Sequence, residues 1–223
     1  MEYIVLSANR RSRLDGNWNS AFWSNVPSLE IARFRPESSG HHPQTAVKLT
    51  YNQDGLCGLF RVEDNYVLCT HTRFMDPVYT DSCVEFFVQP RPDSGYFNFE
   101  FNCGGALLAS YIVDPTRTAN GFKDFTLLRP EDAEHIDIYH SMPAVVEPEI
   151  EEETLWHLEF FIPFSVLEAY AGTVKAAAGD TWRANFYKCG DKTSHPHWGA
   201  WSEVDELNFH LPCCFGTLRF GPF

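Results

Sequence analysis

Two neighbouring segments decide the fold of this chain: DSCVEFFVQ at residues 81–89 and YFNFEFN at residues 96–102. In each, side chains alternate between two faces, the period-two pattern of a β-strand. Only the short, turn-rich stretch 90–95 separates them, so the two strands are predicted to pair antiparallel. The alternation then directs Phe86 and Phe99, with their apolar neighbours two residues away, towards a core.

The opposite face of this strand pair is predicted to be a polar surface. Glu85 lies on it from the first strand, and Asn98, Glu100 and Asn102 lie on it from the second. A polar strand face is most often simply solvated. The pattern alone therefore leaves open whether this surface has a function.

Strand patterning continues through much of the chain. Alternating segments, or segments flanked by turn signals, occur at 47–51, 56–62, 156–162, 181–188 and 215–220. The first two are predicted to form a hairpin around the turn at 52–55. Between residues 114 and 153 we expect long loops with one or two strands.

Helix signals are almost absent. Ser165 and Glu168 have the spacing of a capping box, which predicts one short helix over about 164–171. Many short strands with one short helix predict an all-β fold, a two-sheet antiparallel β-sandwich of jelly-roll or immunoglobulin-like type. We expect a single domain over residues 1–223, although the length alone would also permit two small domains.

Charge and hydropathy exclude several classes of partner. The net charge of −13 and a pI near 5.0 argue against nucleic acid, whose phosphates require a basic face. Acidic membrane surfaces are disfavoured for the same reason, and no apolar run is long enough to cross a bilayer. The N-terminus does not have the charge order of a secretory signal, so a cytoplasmic location is expected.

Metal-site signatures are weak. The seven cysteines contain no C-x-x-C pair, so no structural zinc site is expected and free thiols are favoured. His195, His197 and His210 could gather a metal ion, but a solvated loop is favoured over that interpretation. No cofactor is predicted. The acids at 147–153 leave open a structural calcium ion.

Aromatic residues make up 15% of the chain and point to a different chemistry. A sugar site needs a ring to cover the apolar face of a pyranose and planar polar groups to hydrogen-bond its hydroxyls. The polar surface supplies carboxylates and an amide. Tyr79 precedes it in sequence, and Trp198 and Trp201 lie in the loop segment HPHWGAWSE.

An ordered set of motifs resembles the family 9 carbohydrate-binding modules. The set comprises Asp15-Gly16 with Trp23, VYTDSCVEFFV (78–88), GYFNFEFN (95–102), LEFFIPFS (158–165), WRANFYK (182–188) and the ending WSE…FHLPCCFGTLRF. The resemblance implies a jelly-roll-like sandwich that holds a mono- or disaccharide, often by its reducing end, between two aromatic rings. It also implies a binding module rather than an enzyme.

The same resemblance implies a set of carbohydrate-binding residues. Tyr79 matches one ring of the slot, where a tryptophan is usual, and Trp201 matches the other. Glu85 matches the strand carboxylate. Asn98 and Glu100 match a polar pair that is an arginine and an asparagine in the best-known type. Asn185 matches an asparagine on a later strand.

Two alternatives from other classes remain open. Glu85 and Glu100 could be the acid/base pair of a small glycoside hydrolase, since two carboxylates on paired strands can lie at the separation that chemistry needs. The sandwich could also be structural or bind a protein partner, with its slot closed. No catalytic motif supports the enzyme.

Overall fold

The computed structural model describes residues 1–222, which fold into β-strands connected by turns and two helices. Its strands are β1 (Glu2–Ser7), β2 (Ser28–Ile31), β3 (Arg33–Phe34), β4 (Gln44–Tyr51), β5 (Gly55–Asp64), β6 (Val67–Cys69), β7 (Cys83–Gln89), β8 (Tyr96–Asn102), β9 (Leu107–Thr118), β10 (Gly121–Leu127), β11 (Asp137–His140), β12 (Val146–Ile150), β13 (Thr154–Pro163), β14 (Thr181–Cys189), β15 (Trp198–Ala200) and β16 (Gly216–Phe220). The helices are α1 (Pro130–Ala133) and α2 (Phe164–Ala171). Neither helix has the length and hydropathy needed to span a membrane.

The strands form the two layers of a sandwich that share one strand. The first sheet has the order β10-β9-β8-β7-β14-β16-β1, and β15 with β3 extends it beside β14. The second has the order β1-β4-β5-β13-β11, with β2 on the outside of β4. Strand β1 pairs in parallel with β16 through its first half and with β4 through Leu6 and Ser7. The predicted all-β sandwich is confirmed.

Aromatic side chains from both sheets fill the space between the layers. Phe160 of the second sheet stacks on two phenylalanines of the first, with ring centroids 5.7 Å from Phe86 and 5.5 Å from Phe101. Phe60 approaches Phe186 across the same gap at 6.2 Å. All of these rings are buried. The apolar face of β7 and β8 therefore points into the core, as their alternation predicted.

The predicted pairing of the two deciding strands is confirmed. Strands β7 and β8 are antiparallel, and Glu85 lies directly opposite Glu100. The hairpin predicted around residues 52–55 is present as β4 and β5. Asn102, however, does not contribute to an open polar surface, because its amide donates to Asp81 at 2.8 Å and to the carbonyl of His71 at 2.7 Å.

The predicted helix over 164–171 is present, but its capping interpretation is wrong. Pro163 is the N-cap residue and no side chain caps the helix. Ser165 already lies inside the helix, and Glu168 Oε1 instead accepts from the N–H of Val174 at 3.3 Å. Because proline itself ends β13 in an extended conformation, the helix begins at the next residue without a serine cap.

The segment 114–153 is more ordered than predicted. Strand β9 continues to Thr118 and returns as β10, so the two form a long hairpin, and β11, β12 and α1 follow. Pro115 interrupts the pattern of a strand, but it lies where the register of the hairpin shifts, and a bulge tolerates a proline. Much of the hairpin is exposed, so it lacks the alternation that would have indicated a strand.

Candidate functional site

A pocket of about 510 Å³ opens on the face of the first sheet that points away from the core. Glu85 and Glu100 lie in its floor, and we refer to it as the glutamate pocket. The hairpin β9–β10 forms one side, and the segment 203–215 crosses the sheet beside it. That segment is held down by Tyr187, whose hydroxyl donates to the carbonyl of Phe209 at 3.0 Å. The polar strand face is therefore a covered site rather than a simple solvated surface.

The floor has hydrogen-bonding capacity that the protein leaves unused. Glu100 Oε1 accepts from Asn98 Nδ2 at 2.7 Å, and Glu85 Oε1 accepts from the thiol of Cys189 at 3.1 Å. The second carboxylate oxygen of each glutamate is buried and has no hydrogen-bond partner. Buried polar atoms are normally paired, so these two unpartnered oxygens, on residues directly opposite each other, mark a place where a ligand or water would bind.

Burial changes the protonation of the floor. Loss of solvent around Glu100 raises its pKa to about 7, and Asn98 only partly opposes this shift. Desolvation raises the pKa of Glu85 as well, and Cys189 and Glu100 add to the effect. Removal from water disfavours a carboxylate that lacks a cation. Near neutral pH the pair therefore carries less than two full negative charges.

The open edge of the pocket is aromatic. Tyr79 lies on a short 3-10 turn, Val78–Thr80, and is 40% exposed. The indole of Trp198, at the start of β15, is half-buried and donates to Asp191 Oδ1 at 2.7 Å. The backbone N–H of Asp191 in turn donates to the carbonyl of Tyr79 at 3.1 Å. These bonds hold a tyrosine and a tryptophan in fixed positions at the pocket.

Four of the six sequence-predicted site residues lie together. Tyr79, Glu85, Asn98 and Glu100 all line the glutamate pocket. Asn185 does not line it. Its amide is used by the backbone of Ser202, donating to the carbonyl at 2.8 Å and accepting from the N–H at 2.8 Å. Asn185 therefore holds the segment after β15 in place.

The expectation that Trp201 faces a sugar is wrong. Its side chain belongs to the core between the sheets, is 2% exposed and approaches Phe186 with ring centroids 5.9 Å apart. Trp198, three residues earlier, lies on the opposite side and lines the pocket. An odd spacing along an extended segment reverses the face, so the aromatic residue at the pocket is the other tryptophan of the same segment.

Further pocket residues were not predicted to bind a sugar, although the sequence analysis considered one of them, His210, as a metal ligand. Arg117, Phe122 and Phe125 belong to the hairpin β9–β10, which the sequence analysis treated as loop, and Asp191 and His210 belong to loops. The guanidinium of Arg117 lies 4.2 Å from the centroid of Phe122. No periodicity could place these residues beside β7 and β8, because only the tertiary path of the hairpin does so.

The histidine-based metal hypothesis is not supported. His197 is buried with its Nε2 2.8 Å from Lys188 Nζ, and His195 stacks on Tyr66. His210, which lines the glutamate pocket, bonds instead to the buried Tyr96. Within residues 1–222 the one group of three ligand atoms within 4.8 Å of one another contains no histidine.

That group consists of Cys83, Glu85 and Cys189. Burial raises the pKa of the Cys83 thiol to about 12. The pKa of the Cys189 thiol is also raised, by its hydrogen bond with Cys83 and by burial. Both thiols are therefore protonated near neutral pH, and the thiol of Cys189 is engaged with Glu85. A metal ion would have to displace both protons.

Comparison with known proteins agrees with the fold. The profile of a family described as "Carbohydrate-binding family 9" matches residues 22–220. A crystal structure of a candidate carbohydrate-binding protein from Bacteroides uniformis ATCC 8492 is 25% identical, covers 98% of each chain and has a TM-score of 0.83. Among curated proteins none matches.

Two structures of a family 9 carbohydrate-binding module from Caldicellulosiruptor kristjanssonii share the fold. The complex with cellotriose is 14% identical with a TM-score of 0.64 and covers 100% of this chain and 95% of the other. The complex with glucose is 13% identical with a TM-score of 0.61 and covers 100% and 97%.

Proposed function

The chain belongs to carbohydrate-binding family 9, and from that premise we propose that it binds a mono- or oligosaccharide reversibly in the glutamate pocket. One observation carries the proposal. Two buried carboxylate oxygens, Oε2 of Glu85 and Oε2 of Glu100, lack partners beneath an open aromatic edge. Adjacent hydroxyl groups of a sugar are donors of the right kind for such acceptors.

The aromatic edge supplies the second half of sugar recognition. Tyr79 and Trp198 present ring surface to the pocket while their backbones are tied together through Asp191. An aromatic face covers the C–H face of a pyranose and removes apolar area from water. In this proposal Tyr79 and Trp198 stack on the ligand, and Glu85, Asn98 and Glu100 bind its hydroxyls.

The size of the pocket fits a small saccharide. Its volume of about 510 Å³ lies in the range of small-molecule sites, roughly 300–1,000 Å³. The Caldicellulosiruptor module of the same fold is described in complex with glucose and with cellotriose. A mono- or oligosaccharide is therefore the ligand class that both the pocket size and the family support.

Binding without catalysis is part of this proposal, and the match to a carbohydrate-binding family supports it. Glycoside hydrolysis requires carboxyl groups that flank the scissile bond. Glu85 and Glu100 are direct cross-strand neighbours on one sheet, and each already accepts a hydrogen bond from the protein, Glu85 from Cys189 and Glu100 from Asn98. The proposed outcome is therefore a reversible complex, with the carboxyl groups acting as hydrogen-bond partners of the sugar.

Titration calorimetry with a panel of soluble mono- and oligosaccharides tests the proposal. At least one sugar should bind, and Tyr79→Ala should lower its affinity by about 1–2 kcal/mol, as expected for loss of one anchoring aromatic contact. Leu155→Ala is a matched control, since Leu155 is an exposed apolar residue of β13 in the second sheet, at 50% exposure. Absence of binding by every sugar, or equal losses in both variants, would contradict the proposal.

A further inference from the structure

The glutamate pocket contains an excess of acid. Three carboxyl groups face it, from Glu85, Glu100 and Asp191, against the single guanidinium of Arg117. None of the ion pairs among residues 1–222 includes any of these three acids. Arg117 itself is exposed and lies over the ring of Phe122. The charge of Arg117 therefore opposes the rise in the pKa of Glu100 but forms no ion pair with the floor.

The other titratable groups at the pocket do not compensate for this charge. Burial lowers the pKa of His210 to about 3, so its imidazole is neutral near pH 7. Burial raises the pKa of Tyr79 and of Tyr96, which bonds to His210, so both phenols stay protonated and neutral. The thiol of Cys189 is neutral as well. Apart from Arg117, no group that lines the pocket therefore brings a positive charge to it.

The two free oxygens belong to neighbouring side chains. Glu85 and Glu100 are directly opposite each other on β7 and β8, and directly opposed side chains begin about 4.5–5.5 Å apart. A hydroxyl group has one hydrogen to donate, whereas an ammonium group has three and carries a full charge. One ammonium group could therefore bond to both Oε2 atoms and also stabilise the ionised glutamates.

We propose that the preferred ligand is an amino sugar with a free, protonated amine, whose ammonium group lies between the Oε2 atoms of Glu85 and Glu100. This inference rests on the proposed function of the pocket. The aromatic edge favours the same ligand, since the faces of Tyr79 and Trp198 attract a cation as well as covering a sugar ring. N-acetylation of the amine removes its charge and two of its hydrogens, so the acetylated sugar loses the advantage.

The proposal is tested by calorimetry at pH 6.5 and low salt, where an amine of ordinary basicity stays protonated. Glucosamine, galactosamine and mannosamine are each compared with the parent hexose and with the N-acetyl derivative. At least one amine should bind about tenfold or more tightly than both its parent hexose and its N-acetyl derivative. This difference in affinity should shrink with added salt. Ammonium binding favours ionised Glu100, so titration in two buffers of different ionisation enthalpy should reveal proton release.

The outcomes separate this inference from the proposed function. If neutral sugars bind and every amine binds equally or more weakly than its parent hexose, the amino-sugar inference is wrong and carbohydrate binding stands. If no sugar of either kind binds, both are wrong.

Charge-removing variants make the test specific to the floor. Glu100→Gln preserves the shape of the side chain and should reduce the affinity ratio of amine to parent hexose towards one. Glu134→Gln, at an exposed position after α1, removes the same net charge and should leave the ratio as in the wild type. A ratio that survives Glu100→Gln, in protein shown to be folded by its thermal transition, would overturn the proposal.

Discussion

Replacing Trp201 and Trp198 separately by alanine tests the assignment of one tryptophan to the core and the other to the pocket. Trp201 is 2% exposed and is packed so closely on Gly216 that a Cβ there would lie 2.5 Å from the indole. Removing such a side chain should destabilise the fold by about 3–5 kcal/mol. For a chain of this size the melting temperature should then fall by roughly 6–20 °C.

The effect of Trp198→Ala should appear in binding instead. The indole of Trp198 is half-buried at the pocket and bonds to Asp191, so its loss should lower sugar affinity by about 1–3 kcal/mol, or roughly 5- to 150-fold. The cost in stability should be about 1 kcal/mol, that of one hydrogen bond and partial packing. Trp18→Ala, a half-buried tryptophan outside the pocket, is the matched control and should leave affinity unchanged.

Thermal unfolding and calorimetric titration of the three variants provide the measurements. The reasoning is refuted if Trp201→Ala melts like the wild type while losing sugar affinity, because its indole would then be a ligand contact. It is refuted equally if Trp198→Ala and Trp18→Ala bind sugar alike.

Three further predictions concern the strands beneath the pocket. Asn185→Ala should destabilise the fold by about 1–3 kcal/mol, because the buried backbone polar groups of Ser202 lose their partner. Denaturant unfolding measures this loss of stability. A loss of sugar affinity without a loss of stability would instead show that Asn185 contacts the ligand. The pKa of Glu100 is about 7 when folded and about 4.3 when unfolded, so the folded state binds more protons between these values and stability falls as the pH rises through that window. The stability of Glu100→Gln relative to the wild type should therefore grow by on the order of 3 kcal/mol from pH 5 to pH 8, and a flat difference would mean that the wild-type carboxyl is not perturbed. Prolonged incubation with aryl glycosides should release no aglycone; release that disappears in Glu85→Gln would show that the pocket is catalytic.

Local sequence was sufficient for the framework of this site. The period-two alternation of residues 81–89 and 96–102 determined which phenylalanines enter the core, because successive side chains of a strand must point to opposite faces. The short connection between them determined the antiparallel pairing and so brought Glu85 opposite Glu100. Together with the other motifs quoted in order along the chain, these strands indicated carbohydrate-binding family 9. The match of that family over residues 22–220 confirms it.

The remaining parts of the site depend on contacts between segments far apart in sequence. Alternation is a local property and carries no information on which distant segment covers a strand face. The path of β9–β10 brings Arg117 and Phe122 to the pocket, and the sequence showed no alternation there because much of the hairpin is exposed on both sides. Asn185 was correctly placed on a strand, but the backbone of Ser202 takes up its amide.

The choice between two tryptophans shows most clearly where the information in the local sequence ends and the tertiary structure decides. The sequence, through its resemblance to a family, indicated that an aromatic residue of the segment HPHWGAWSE lies near the polar face of β7 and β8. Trp198 and Trp201 lie three residues apart, so on an extended segment they must face opposite sides. Which of them faces the pocket depends on how β15 pairs with β14, where Cys189 lies opposite Trp198 and Tyr187 opposite Ala200. That register is decided by the tertiary fold, in which the core packs Trp201 beside Phe186.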